Sequence, residues 1–206
     1  MRKNQVIVGV LLLATAFLVV GCAKPPQQDI DTAKAALTAA EQAEAPKYAA
    51  DAWDKAQQAM NAVNAELEAQ QAKFALFRSY TKSKQLITDA TNAANAAKDA
   101  AVAGKEKAKN DAKASIDAAK AALDNANKLL ADVEKCNRAK RAKEVKKDLD
   151  TVKGNLEAMK AQAADIDAKF SKDDFFGAKA AADTLKNAVE PIAKDLDGIK
   201  TKFKCK

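Results

Sequence analysis

Apolar residues recur at alternating steps of three and four along most of this chain. That spacing favours one solution, helices packed side by side at shallow angles. Val145, Leu149, Val152, Leu156, Met159, Ala163, Ile166 and Phe170 form one such stripe, and Phe175, Ala178, Ala182, Leu185, Val189, Ile192, Leu196, Ile199 and Phe203 form the next. Between them lies "KFSKDDFFGAK", where Ser171, Asp173 or Asp174 can cap the second helix by accepting bonds from its first free N–H groups. If the two helices fold back on each other, residues sharing a core layer should have numbers with a constant sum. They do, at 341: Val145 with Leu196, Leu149 with Ile192, Val152 with Val189, Leu156 with Leu185 and Met159 with Ala182. The midpoint falls at the turn read independently from its capping residues.

A third stripe, Ala112, Ile116, Ala119, Leu123, Ala126, Leu130 and Val133, mirrors the next helix at a sum of 275, centred on "KCNRA". Layers such as Leu130, Val145 and Leu196 are then shared by three helices. The amino-terminal half repeats the arrangement, with Ile30, Ala33, Leu37 and Ala40 mirrored on Trp53, Ala56, Met60 and Val63 about "EAPKYAADAW". Pro46 is expected to break the first helix and Asp51 to cap the second. The third helix of this half is expected to start near Phe74 and Phe77. No Gly or Pro marks that turn, which leaves the helices at 51–70 and 73–134 either separate or continuous.

Composition supports long helices. About a quarter of the 206 residues are Ala, with only 6 Gly and 4 Pro to interrupt them. "NAANAAKDAAVAGKEKAKNDAKAS" holds no strong stop, since Gly104 costs a helix only about 1 kcal/mol, so one long helix is expected to join the halves. Its seam, Ala94, Ala97, Ala101, Gly104, Ala108 and Ala112, contains two successive steps of four. Such a stutter loosens a supercoil, and the seam's small side chains bury little area, so this waist is expected to be the least stable part. Pro191 lies inside the last helix without shifting its stripe, which predicts a kink. The expected fold is all-α: two antiparallel three-helix bundles end to end, over 29–103 and 104–206, sharing one central helix as in a spectrin-like rod.

The first 21 residues stand apart. Arg2 and Lys3 precede the apolar run "VIVGVLLLATAFLVVG", a pattern of export signals. The run ends in "LVVGC", which resembles the lipobox of bacterial lipoproteins: aliphatic residues, a small residue at Gly21, then Cys22. The resemblance implies cleavage after Gly21, a diacylglycerol thioether on Cys22 and acyl chains such as palmitate holding the mature chain on a membrane. One acyl chain holds only marginally, whereas the family's three imply lasting attachment. Ala23 stands where that family's inner-membrane retention signal would place an Asp, so the implied address is the outer membrane, facing the periplasm. Residues 22–28, with Pro25 and Pro26, read as a short extended tether.

Cys136 and Cys205 also sum to 341, so they should face each other across the open end of the hairpin. In an exported chain an even pair of cysteines is most simply a disulfide. A reactive or intermolecular thiol near positive charge is the rival reading.

Without Arg2 and Lys3 the formal charge falls from +7 to +5, and Lys is interspersed with Asp and Glu almost everywhere, as on a solvated helical surface. The exception is "EKCNRAKRAKEVKK", where Arg138, Lys140, Arg141 and Lys143 make a candidate anion-binding patch for phosphorylated lipid heads. It lacks the interleaved aromatics that stack bases, so nucleic acid is not expected as a partner. His is absent, which removes the commonest general base and metal ligand, and no phosphate loop, paired CxxC or nucleophile elbow occurs. No enzyme activity, metal or cofactor is expected.

"EAPKYAADAWDKAQQAM" and the helix after it resemble an alanine-rich helical domain of bacterial envelope lipoproteins that sometimes accompanies a peptidoglycan-binding domain, which is missing here. The resemblance covers about residues 28 to 103. The anchor, the expected rod and the missing catalytic groups together lead to the expectation of a lipid-tethered spacer or scaffold whose partner is an envelope protein or peptidoglycan. Two alternatives stay open: wall linkage through Lys206, on a slight similarity to the major murein lipoprotein, and carriage of apolar ligands between helices.

Overall fold

The structure, a computed structural model, describes residues 23–205 apart from the side chain of Lys140. The expected signal segment, Cys22 and Lys206 lie outside the described residues. Among those described, every regular element is helical: α1 (Gln27–Gln42), α2 (Ala45–Tyr48), α3 (Ala50–Gln71), a single 3-10 turn (Ala75–Phe77), α4 (Thr81–Lys135), α5 (Asn137–Lys140), α6 (Lys143–Ser171) and α7 (Phe175–Lys202). The chain divides into two compact units at Gly104–Lys105.

In the first unit, α1, α3 and the opening turns of α4 bury one side each. Ile30 and Ala33 of α1 meet Met60 and Val63 of α3 and Ile87 and Ala90 of α4 in one apolar cluster. Further along, the layers shrink to alanine: Ala40, Ala45, Ala56, Ala94, Ala97 and Ala101, with Trp53 and Tyr48 half-buried against them. Small side chains let helix backbones approach closely while removing little apolar area from water, at about 25 cal/mol per Å².

Three local expectations change in this unit. The stop for α1 is Glu44, whose φ of 61° is left-handed, and Pro46 instead opens α2, where its missing N–H costs nothing. Asp51 does not cap α3. The N-cap is Ala49, with no side-chain bond, and Asp51 sits in the first turn, where a carboxylate is still attracted to the positive end of the helix dipole. The helices either side of Phe74 and Phe77 are separate, and α4 starts at Thr81. The break is made by Phe74, at φ −57° and ψ 138°, an extended geometry the apolar spacing does not register.

α4 then runs unbroken for 55 residues, through Gly104. In the second unit its stripe from Ile116 to Val133 packs with α6 and α7 in one cluster. All ten side chains of the five layers summing to 341 belong to that cluster, either buried or packed on it. Leu156, Leu185, Val189 and Leu196 are at most 2% exposed. At the α6–α7 turn, Asp173 is left-handed at φ 59°, and the N–H groups of Asp174 and Asp173 return to the carbonyls of Lys169 and Phe170. These are the two bonds of a Schellman stop. Asp174 then caps α7, its Oδ1 accepting the N–H of Gly177 at 3.1 Å. Phe170 and Phe175 close this end with ring centroids 5.2 Å apart. Across the helices, Lys120 bridges both carboxylate oxygens of Asp167 at 2.8 Å.

Candidate functional site

Two surfaces stand out, one in each unit. In the second unit, Cys136 follows the last residue of α4 and Cys205 follows the end of α7. Their sulfurs form a disulfide, 2.16 Å apart with Cα atoms 5.4 Å apart. The end of α7 is shaped for this by Lys204, which is left-handed at φ 49°. The N–H of Cys205 bonds to the carbonyl of Lys200 at 3.0 Å, and that of Lys204 to Thr201 at 3.2 Å. This second Schellman stop turns the chain off the helix axis one residue before the sulfur. Beside it Lys200 donates to Asp132 at 2.6 Å, joining α7 to α4. That contact holds the Asp132 carboxyl below its usual range, through the hydrogen bond first and the charge of Lys200 second.

The cations of the candidate anion patch lie on the connection that starts at Cys136. Arg138 and Arg141 are exposed on and just after α5, and Lys143 opens α6. None of these three forms an ion pair among the described residues. The adjoining groove, however, is lined by Glu134 and Asp150 as well as Lys146 and Leu149, so it presents both signs of charge. Among the described side chains the patch is a cationic strip on the surface, with Arg138, Arg141 and Lys143 all exposed.

The second surface, in the first unit, carries no motif that the sequence makes plain. Where α3 ends, Arg78 folds back on it: Nε donates to the carbonyl of Lys73 at 3.0 Å and Nη2 to that of Gln71 at 2.9 Å. These satisfy carbonyls that a helix end leaves without partners. Gln70, only 6% exposed, accepts the N–H of Ser79 at 3.1 Å and donates to Glu66 at 2.7 Å. Lys82 of α4 closes on the other oxygen of Glu66 at 2.7 Å. Bonds from Lys82 and then Gln70 lower the Glu66 pKa. Tyr80 is buried at the start of α4.

The segment is therefore pinned at both feet, and its tip turns outward. Phe74, Leu76 and Phe77 are 69%, 65% and 75% exposed, with the two rings 6.3 Å apart. A signal for this was present in "KFALFR", where large apolar residues crowd at steps of two and one that no single helix face can absorb.

Among the described residues no group of three His, Cys, Asp or Glu side chains is placed to hold a metal ion, and no helix is long and apolar enough to cross a membrane. The hollow in the second core lined by Ile116, Ala119, Ala163, Ile166 and Leu185 has no room for a water molecule. Comparison with protein-family models, with curated proteins and with solved structures returns no match in any of the three.

Proposed function

We propose that this chain is a lipid-anchored, non-enzymatic envelope protein, a helical spacer or protein-interaction scaffold held at the outer membrane and facing the periplasm. The observation that carries the reading is "LVVGC" at 18–22, an apolar run ending in a small residue and a cysteine. The short stretch after Cys22 supports it: α1 begins at Gln27, so only 23–26, with two prolines, lie between Cys22 and the first helix. We take each of the two units as an antiparallel three-helix bundle, a reading that the apolar clusters of each unit support. The absence of His from the sequence and the mixed-sign surface favour a mechanical or docking role over catalysis.

The test is the intact mass of protein extracted from membranes, with and without reductant. The expected species begins at Cys22, carries a diacylglycerol thioether and an amide-linked acyl chain, and gains two hydrogens on reduction. A species that keeps residues 1–21, or lacks acyl mass, overturns the anchor. Crosslinking in cells followed by pull-down is expected to recover an envelope protein, and recovery of none would remove the scaffold role.

A further inference from the structure

The Phe74–Phe77 turn and the start of α1 share one end of the first unit. Ile30 lies in the same cluster as Val63 and Ile87. Beyond that layer α1 has three residues left, 27–29, whereas α3 continues for eight, to Gln71. At 1.5 Å per residue the turn stands about 8 Å beyond the first residue of α1. Ahead of α1, Pro26 at φ −76° and ψ 72° makes a tight turn in which the N–H of Gln27 bonds the Pro25 carbonyl at 2.8 Å.

The chemistry of the tip is that of a lipid interface. Residues 72–84 hold Lys73, Arg78, Lys82 and Lys84 and no acid, and although Lys82 is paired with Glu66 of α3, Lys73, Arg78 and Lys84 leave the stretch that carries the three exposed apolar side chains net basic. Phe and Leu gain by leaving water for the acyl boundary, while a net basic stretch is attracted to anionic headgroups. The bonds from Arg78 and Gln70 keep the tip from folding onto its own helices, so its apolar area stays available to a bilayer.

We propose that the turn at 74–77 inserts into the headgroup region of an anionic bilayer, a second membrane contact made by side chains at the end of the first unit where α1 begins. The proposal rests on the anchor reading for its position. Two contacts at one end would restrict the tilt that a single flexible tether allows.

The test uses the chain from Cys22 to Lys206 with the Cys136–Cys205 disulfide intact, leaving Cys22 as the free thiol. Coupling that thiol to a maleimide lipid in vesicles of phosphatidylglycerol and phosphatidylcholine places the chain on a bilayer whether or not cells acylate it. In a Trp53→Phe background, which removes the only native Trp, Phe77→Trp reports from the tip. Val102→Trp reports from α4 near the far end of the unit, where Val102 is 58% exposed.

Brominated lipid is expected to quench the tip reporter at least threefold more than the Val102 reporter. Leu76→Trp repeats the measurement if Phe77→Trp lowers the melting temperature. Equal quenching at the two sites overturns the proposal. So does a blue shift of the tip reporter that appears without vesicles as protein concentration rises, because it assigns the turn to a second copy of the chain. A missing acyl mass on the cellular protein would remove the anchor reading and leave this measurement standing.

Discussion

Gly104 of α4 lies directly against the backbone of Tyr48, and a β-carbon at 104 would collide with the Tyr48 carbonyl oxygen. The position is a contact, although on helix propensity alone it is a weak spot that Ala should improve.

The first prediction is therefore a change of sign between glycines. Gly104→Ala should lower stability by about 1–3 kcal/mol, because the carbonyl it meets belongs to a packed backbone that cannot rotate aside. Gly154 and Gly198, which have open space where a β-carbon would go, should each gain up to about 1 kcal/mol on replacement by Ala. Thermal melts of the three single variants decide it, and equal behaviour of all three would contradict the close approach.

The disulfide bridges residues separated by 69 positions. Closing a loop of that length removes enough freedom from the unfolded chain to stabilise the fold by about 4 kcal/mol in the chain-entropy model. Cys136→Ala/Cys205→Ala should lower the urea midpoint accordingly while the far-ultraviolet helical signal in water persists, since none of the buried members of the core, from Ile116 to Leu196, is a cysteine. A midpoint unchanged by the double substitution would assign the bridge no stabilising role.

Much of this second unit is legible in the sequence because its layers are a matter of counting. Leu156 and Leu185 share a layer whatever the side chains around them, and the same register carries Cys136 to Cys205. The first unit is legible at Ile30 and Val63 for the same reason. The helix ends are another matter. Glu44, Asp173 and Lys204 all stop helices in the left-handed region, a role normally signalled by Gly, so no residue type announces them. Asp51 satisfies the cap pattern yet lies two residues past the real N-cap. The tip at Phe74, Leu76 and Phe77 depends on Arg78 reaching back to Gln71, a contact across seven residues that periodicity cannot carry. The cationic strip at Arg138, Arg141 and Lys143 is visible as a run, but the acids beside its groove, Glu134 and Asp150, become neighbours only through the fold.

Two buried hydroxyls lack partners among the described residues, those of Tyr80 and Ser83. A buried polar group without a hydrogen bond costs about 1–3 kcal/mol. Tyr80→Phe and Ser83→Ala should thus leave the melting temperature unchanged or raise it, the latter with a further few tenths of a kcal/mol from helix propensity. A fall of several degrees in either variant would mean that the hydroxyl is satisfied in solution.

The Asp132–Lys200 pair gives an acid-side signature. The folded-state pKa of Asp132 is lowered from 3.8 by the Lys200 hydrogen bond and then its charge. A depressed carboxylate adds stability above its unfolded pKa and loses it as pH falls through the lower folded value. The melting temperature of Asp132→Asn should lie below that of the native chain at pH 6, and the gap should narrow below about pH 4. Paired melts across pH 2–7 test it, and a gap that stays constant through the acid range would show that the pair adds nothing specific to the charged form.

The left-handed residue at Lys204 also bears on how the bridge re-forms. Hydrogen bonds to Thr201 and Lys200 already steer the last residues off α7 and toward the start of α5, so in a reduced molecule that keeps its helices the two thiols remain neighbours. Reoxidation then becomes an event at one helix terminus, independent of protein concentration, and only a chain that has lost α7 must find Cys136 by diffusion.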